Sequence, residues 1–134
     1  MHFNNLLSNI HWIPVVVITI LSFTLGFAWH QKFLFGKMWA EENNPTLTRK
    51  ANYSLIFGGT AVMHFMALAG LSAVVSNAGW QNGLHAGILI WFVWILPPMA
   101  ATYLFANRSL KLLAIDAGMY LVLFGVSGMI LSIW

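Results

Sequence analysis

What most constrains this chain is where charge is missing. No Asp, Glu, Lys or Arg occurs before Lys32, and none occurs between Ala51 and Asn107. A helix that folds in water needs a polar face, and uncharged stretches this long cannot supply one. The 134 residues are 60% hydrophobic and 7% charged, against about 25% charged in ordinary soluble domains. Hydrocarbon is therefore the main solvent for this sequence.

A spanning helix takes about 20 mostly apolar residues. Four windows meet that length, at about 12–34, 53–76, 84–105 and 112–134. The expected fold is all-α, a single transmembrane domain built as a four-helix bundle. Pro14 falls in the opening turn of the first window, where a missing N–H costs nothing. Pro97-Pro98 falls inside the third and predicts a kink or local unwinding. In the first connection, Asn43-Asn44-Pro45 reads as a turn in which Asn44 caps an interfacial helix and Pro45 begins it. Residues 77–83 and 107–111 form the other two turns. Met1 to His11 lacks Lys and Arg, and no small-residue cleavage site follows the apolar run. The first helix is thus expected to stay in the protein.

Orientation follows from where the six cations lie. Lys32, Lys37, Arg49 and Lys50 flank the first connection, and Arg108 and Lys111 flank the third. With four spans these two connections share a side, which the positive-inside rule makes cytoplasmic. Both termini are then outside. Trp12, Trp80 and Trp134 fall at the outer boundary, and Trp39, Tyr53 and Tyr103 at or near the inner one, as aromatic belts do. The expected location is a cytoplasmic (inner) membrane. Six scattered cations make no nucleic-acid patch, so the expected partner is the lipid bilayer, with a homo-oligomer and no nucleic acid. The absence of cysteine excludes thiol chemistry, disulfides and Cys-ligated metals.

Ionisable groups inside a bilayer are expensive, which makes them the candidate functional residues. Asp116 is the single acid in a predicted span, little more than one turn from Lys111. It reads either as a proton- or cation-handling carboxylate or as a paired carboxylate that fixes helix register, and its shallow depth favours the second. His64 lies near the middle of the second span, as a neutral hydrogen-bonding group or as a relay or ligand. His30, near the inner end of the first span, shares the depth of Asp116, so a His30–Asp116 contact is expected. No histidine pair has a metal- or haem-ligand spacing, and no nucleophile elbow, phosphate loop or carboxylate pair is present. No cofactor, metal or catalytic residue is expected.

Small residues at helical spacing let membrane helices approach closely. Ser22 and Gly26 in the first span, Gly58 in the second, and Gly118, Gly125 and Gly128 in the fourth are the candidate packing positions.

The stretch Gly26–Trp39, GF-x-W-x3-FLFGK-x-W, resembles the motif of a family of small bacterial four-helix membrane proteins, domain of unknown function 1761. The resemblance continues through Asn107-Arg108-Ser109-Leu110, Ile115-Asp116-Ala117-Gly118, Gly128 and Trp134, and so covers nearly the whole chain. It implies an integral four-helix fold and brings no activity with it. Where that family typically has Tyr after Trp29, this chain has His30. Two function classes follow from the residues. The first is a non-enzymatic, self-associating structural or partner-binding membrane protein; the second is a homo-oligomeric channel or carrier for protons, ions or a small solute. The thin polar inventory favours the first.

Overall fold

A computed structural model of the protein describes residues 3–43 and 51–134. The expected cap and helix start at Asn44 and Pro45, and the cations Arg49 and Lys50, lie outside the described residues. The regular elements are α1 (Phe3–Ser8), α2 (Trp12–Trp29), α3 (Gly36–Glu42), α4 (Tyr53–Val75), α5 (Trp80–Ile90), α6 (Leu96–Phe105) and α7 (Leu110–Leu131), with a π-helical turn, Trp91–Ile95, joining α5 to α6. Helix is the only regular structure among the described residues. Four helical stretches, Trp12–Trp29, Tyr53–Val75, Trp80–Phe105 and Leu110–Leu131, are long and apolar enough to cross a membrane. The fold is the expected four-helix membrane bundle.

Local chemistry sets the boundaries. Asn52 caps α4 by accepting the Leu55 N–H at 3.1 Å, and Ser109 caps α7 by accepting that of Leu112 at 3.1 Å, as short oxygen-bearing side chains do at helix starts. The first span ends at Trp29 and not at residue 34. The chain turns at His30, with Leu34 and Gly36 N–H both returning to the Gln31 carbonyl and Phe35 N–H to that of Trp29. Gly36 sits so close to the His30 carbonyl that a Cβ there would overlap it. In the third span, Pro97 and Pro98 cannot donate to the carbonyls one turn back. The chain accommodates them with the wide turn just upstream, where Leu96 N–H reaches the Trp91 carbonyl five residues away. The helix stays continuous through both prolines.

α7 lies at the centre and packs against α2, α3, α4, α5 and α6. Val15, Ile18, Leu68, Leu71, Val75, Leu123, Phe124 and Leu131 fill the core between them. The α5–α7 crossing is the closest. A Cβ at Gly83 would overlap the Gly128 carbonyl and the Ser132 side chain, one at Gly87 the Phe124 carbonyl, and one at Gly128 the Gly83 carbonyl. Helices with no hydrophobic force between them hold together through such backbone approach.

Contacts between connections sort the two ends of the bundle. His11 N–H donates to Ser72 Oγ at 3.0 Å, and His11 Nε2 lies 3.0 Å from Ser76 Oγ, joining the start of α2 to the end of α4. At the other end Lys111 Nζ lies 3.6 Å from Glu42 Oε1, so the first and third connections share a side.

Candidate functional site

Three indoles converge on three consecutive residues of α7. Trp29, at the end of α2, donates from Nε1 to the Ile115 carbonyl at 2.9 Å. Trp39, on α3, donates to Asp116 Oδ1 at 3.0 Å. Trp91, turned inward by the π-helical segment, donates to the Ala117 carbonyl at 2.8 Å. An indole N–H buried among apolar atoms needs an acceptor, and helix carbonyls and one carboxylate supply all three. Gly118 makes room for this arrangement, because a Cβ there would lie 3.3 Å from Trp29 Cζ2. The Trp29 ring in turn rests on Phe35, with centroids 4.6 Å apart, so the FLFG turn is the support beneath it.

Asp116 gathers donors from several elements. Besides Trp39 at Oδ1, Tyr103 on α6 donates its hydroxyl to Oδ2 in a short hydrogen bond. The turn that follows aims Tyr103. Asn107 adopts a left-handed φ of +52°, Arg108 N–H returns to the Tyr103 carbonyl at 2.9 Å, and the Arg108 guanidinium stands 5.7 Å from the Tyr103 ring centroid. This is a helix C-terminal cap of the Schellman type, with asparagine in the position that tolerates positive φ. His30, the partner expected from the sequence, places Nε2 3.7 Å from Asp116 Oδ1, beyond hydrogen-bond range. Its Nδ1 lies 2.7 Å from the Gly26 carbonyl. A carbonyl only accepts, so Nδ1 carries the proton, and Nε2 has one to offer Asp116 only in the imidazolium form. His30 meets Trp39 edge-on, at 5.2 Å and 83°, and so braces the indole as well as facing the acid.

These contacts tie together the two halves of the motif in the sequence, Gly26–Trp39 and Asn107–Gly118. A family model described as a protein of unknown function, DUF1761, matches residues 13–132. The chain belongs to the DUF1761 family. No curated protein and no solved structure matches it. In this DUF1761 chain, the tryptophans and the Ile-Asp-Ala-Gly stretch of the motif are the two sides of one packed junction.

The other expected site residues fall elsewhere. His64, on α4, is 9% exposed and shares a 2.7 Å hydrogen bond between Nδ1 and Ser22 Oγ on α2. It stands beside Phe23 and Tyr120, in a groove that His30 also lines. Gly26 faces Met119 on α7, and Gly125 faces Leu84 and Ile88 on α5; Gly118 and Gly128 sit at the close approaches already described. Gly58 is the exception among the packing candidates. No described residue lies within 4 Å of a Cβ built there, so among the described residues it makes no helix contact and faces outward on α4.

Sequence reasoning missed Trp39 and Tyr103 as the partners of Asp116, because both read as interfacial belt residues. Trp91, one more apolar ring inside the third span, gave no sign of an acceptor on the fourth. Gly83 and Gly87 were hidden in a stretch read partly as turn, although their spacing of four is the signal of a close crossing.

Proposed function

We propose that this DUF1761 protein is a non-enzymatic membrane scaffold that associates with itself or with another membrane protein, and that Asp116 is its internal fastening. The observation that carries this reading is that each carboxylate oxygen is occupied by a donor from another element, Trp39 at one and Tyr103 at the other. A carboxylate that must exchange protons or ions with a passing solute needs a free oxygen facing its path. Three threonine hydroxyls of the spans are likewise spent. Thr19, Thr60 and Thr102 each donate to the carbonyl four residues back on their own helix, which satisfies them locally and lays no polar stripe across the membrane. The outward face of α4 at Gly58 and Gly59, with open space above both, is the surface offered to a second copy. The protein sits in a bacterial inner membrane with its Lys/Arg-bearing connections in the cytoplasm and both termini outside.

The test is proton and monovalent-ion flux in proteoliposomes, comparing the wild type with Asp116→Asn. The scaffold reading expects flux no greater than that of empty liposomes for both proteins, together with lower thermal stability of the variant. Flux well above background in the wild type, lost in a folded Asp116→Asn protein, would overturn it in favour of a channel or carrier.

A further inference from the structure

A groove of about 540 Å³ runs between α2 and α4 with α7 as its floor. Phe27, Phe57 and Ile56 stand exposed at its rim, while Ser22 and His64 are buried at its depth. Because α2 and α4 are both spans, the groove opens sideways, towards lipid.

The protonation of His64 can be read from its partners. Ser22 Oγ lies 2.6 Å from the Thr19 carbonyl, and a carbonyl only accepts, so the one hydroxyl hydrogen of Ser22 is spent there. Ser22 must then accept from His64, and the Nδ1 of His64 carries the proton. Neutral imidazole with hydrogen on Nδ1 presents a bare lone pair at Nε2. That Nε2 is buried and has no partner among the described residues. Buried polar atoms left unpaired in a native protein are rare and call for an explanation. The tautomer fixed by Ser22 and Thr19 makes this one an acceptor waiting for a donor.

We propose that the groove binds a lipid-soluble molecule carrying a hydroxyl, which donates to His64 Nε2 while its apolar body lies along Phe23, Phe57 and Met119. The walls suit a hydrocarbon or a ring. They offer no free cation to hold a phosphate or carboxylate, since Lys and Arg are absent from the lining and His30, which does line it, faces Asp116. The ligand class is thus an uncharged long-chain alcohol or phenol that arrives through the bilayer.

The test uses the full chain, labelled with 15N-histidine, in nanodiscs of phosphatidylcholine, a lipid with no hydroxyl donor. The probes are 1-dodecanol and 4-nonylphenol, each against its methyl ether. The His64 resonance is assigned with His64→Phe or, if that variant does not fold, by substituting the other histidines one at a time. A hydroxyl probe should move the His64 Nε2 resonance and bind about fivefold more tightly than its ether, the ratio that one neutral hydrogen bond supplies. Whichever of the aliphatic and phenolic probes binds more tightly names the source of the hydroxyl. Thr60→Trp, which fills the groove, should abolish the shift. Ethers that bind as tightly as the alcohols, an unmoved His64 resonance, or an undiminished shift in folded Thr60→Trp would each overturn the proposal.

Discussion

Trp39 Nε1 and Asp116 Oδ1 stand 3.0 Å apart across 77 positions of sequence. This bond fastens a short helix at the membrane margin to the central span. A hydrogen bond between side chains of membrane helices averages about 0.6 kcal/mol, with an upper end near 1.7. Trp39→Phe and Asp116→Ala should each lower thermal stability in detergent, and their double-mutant cycle should give a coupling of about 1 kcal/mol. Fully additive effects would mean that the two groups do not act on each other.

Glycine at the α5–α7 crossing and glycine on the outer face of α4 should respond in opposite ways. Gly87→Ala puts a methyl group into the Phe124 carbonyl, and backbone cannot swing aside, so the helices must separate. Overpacking of this kind costs about 1–3 kcal/mol. Gly58→Ala meets none of the described residues of its own chain and should leave the fold of the single chain unchanged or slightly stabilised, because alanine is the better helix former. Thermal unfolding of the two variants side by side decides this.

Glu42 should give the junction an acid limb. Its pKa is lowered, chiefly by hydrogen bonding from the Ser109 hydroxyl, which outweighs an opposing desolvation, with a lesser lowering from the Lys111 ammonium. A carboxyl group whose folded pKa is depressed contributes stability that is present above its unfolded pKa and lost as pH falls through the folded value. The attachment of α3 to α7 should therefore loosen as pH drops below the ordinary glutamate range. Trp39 fluorescence followed through acidification reports it, and Glu42→Gln should remove that component of the change while leaving any other.

The absence of cysteine allows a clean test of self-association. Gly58→Cys should form a disulfide dimer in the membrane under mild oxidation. Phe105→Cys, at a position 95% exposed near the end of α6, should stay monomeric. Equal crosslinking at both positions would reflect random collision and remove Gly58 from the interface.

The spans could be read from the sequence because insertion into hydrocarbon depends on length and composition, both visible along the chain. Contacts between spans were harder to read. α4 is apolar on every side, so no amphipathic pattern says which of its faces packs inward, and Gly58 could not be told from a buried glycine. The depth that His30 and Asp116 share was legible from helical rise alone. The preference of Asp116 for Trp39 and Tyr103 was not, because it depends on a turn at residues 30–35 and a left-handed Asn107 that bring distant side chains round to one carboxylate. The proline pair announced a disturbance in the third span. That the disturbance would be a π-helical turn, and would aim Trp91 at α7, needed three dimensions.

The position of α7 in the chain has a consequence for how the protein is made. The ribosome delivers α2, α3 and the π-helical segment first, and their three indole N–H groups have no acceptors until the last span follows. A nascent chain that stops before Ile115 carries those donors without their protein acceptors, and it lacks the glycine-lined surface against which α5 closes. Assembly of the bundle therefore waits for the synthesis of α7, and a copy released before it leaves those indoles without their partners on that helix.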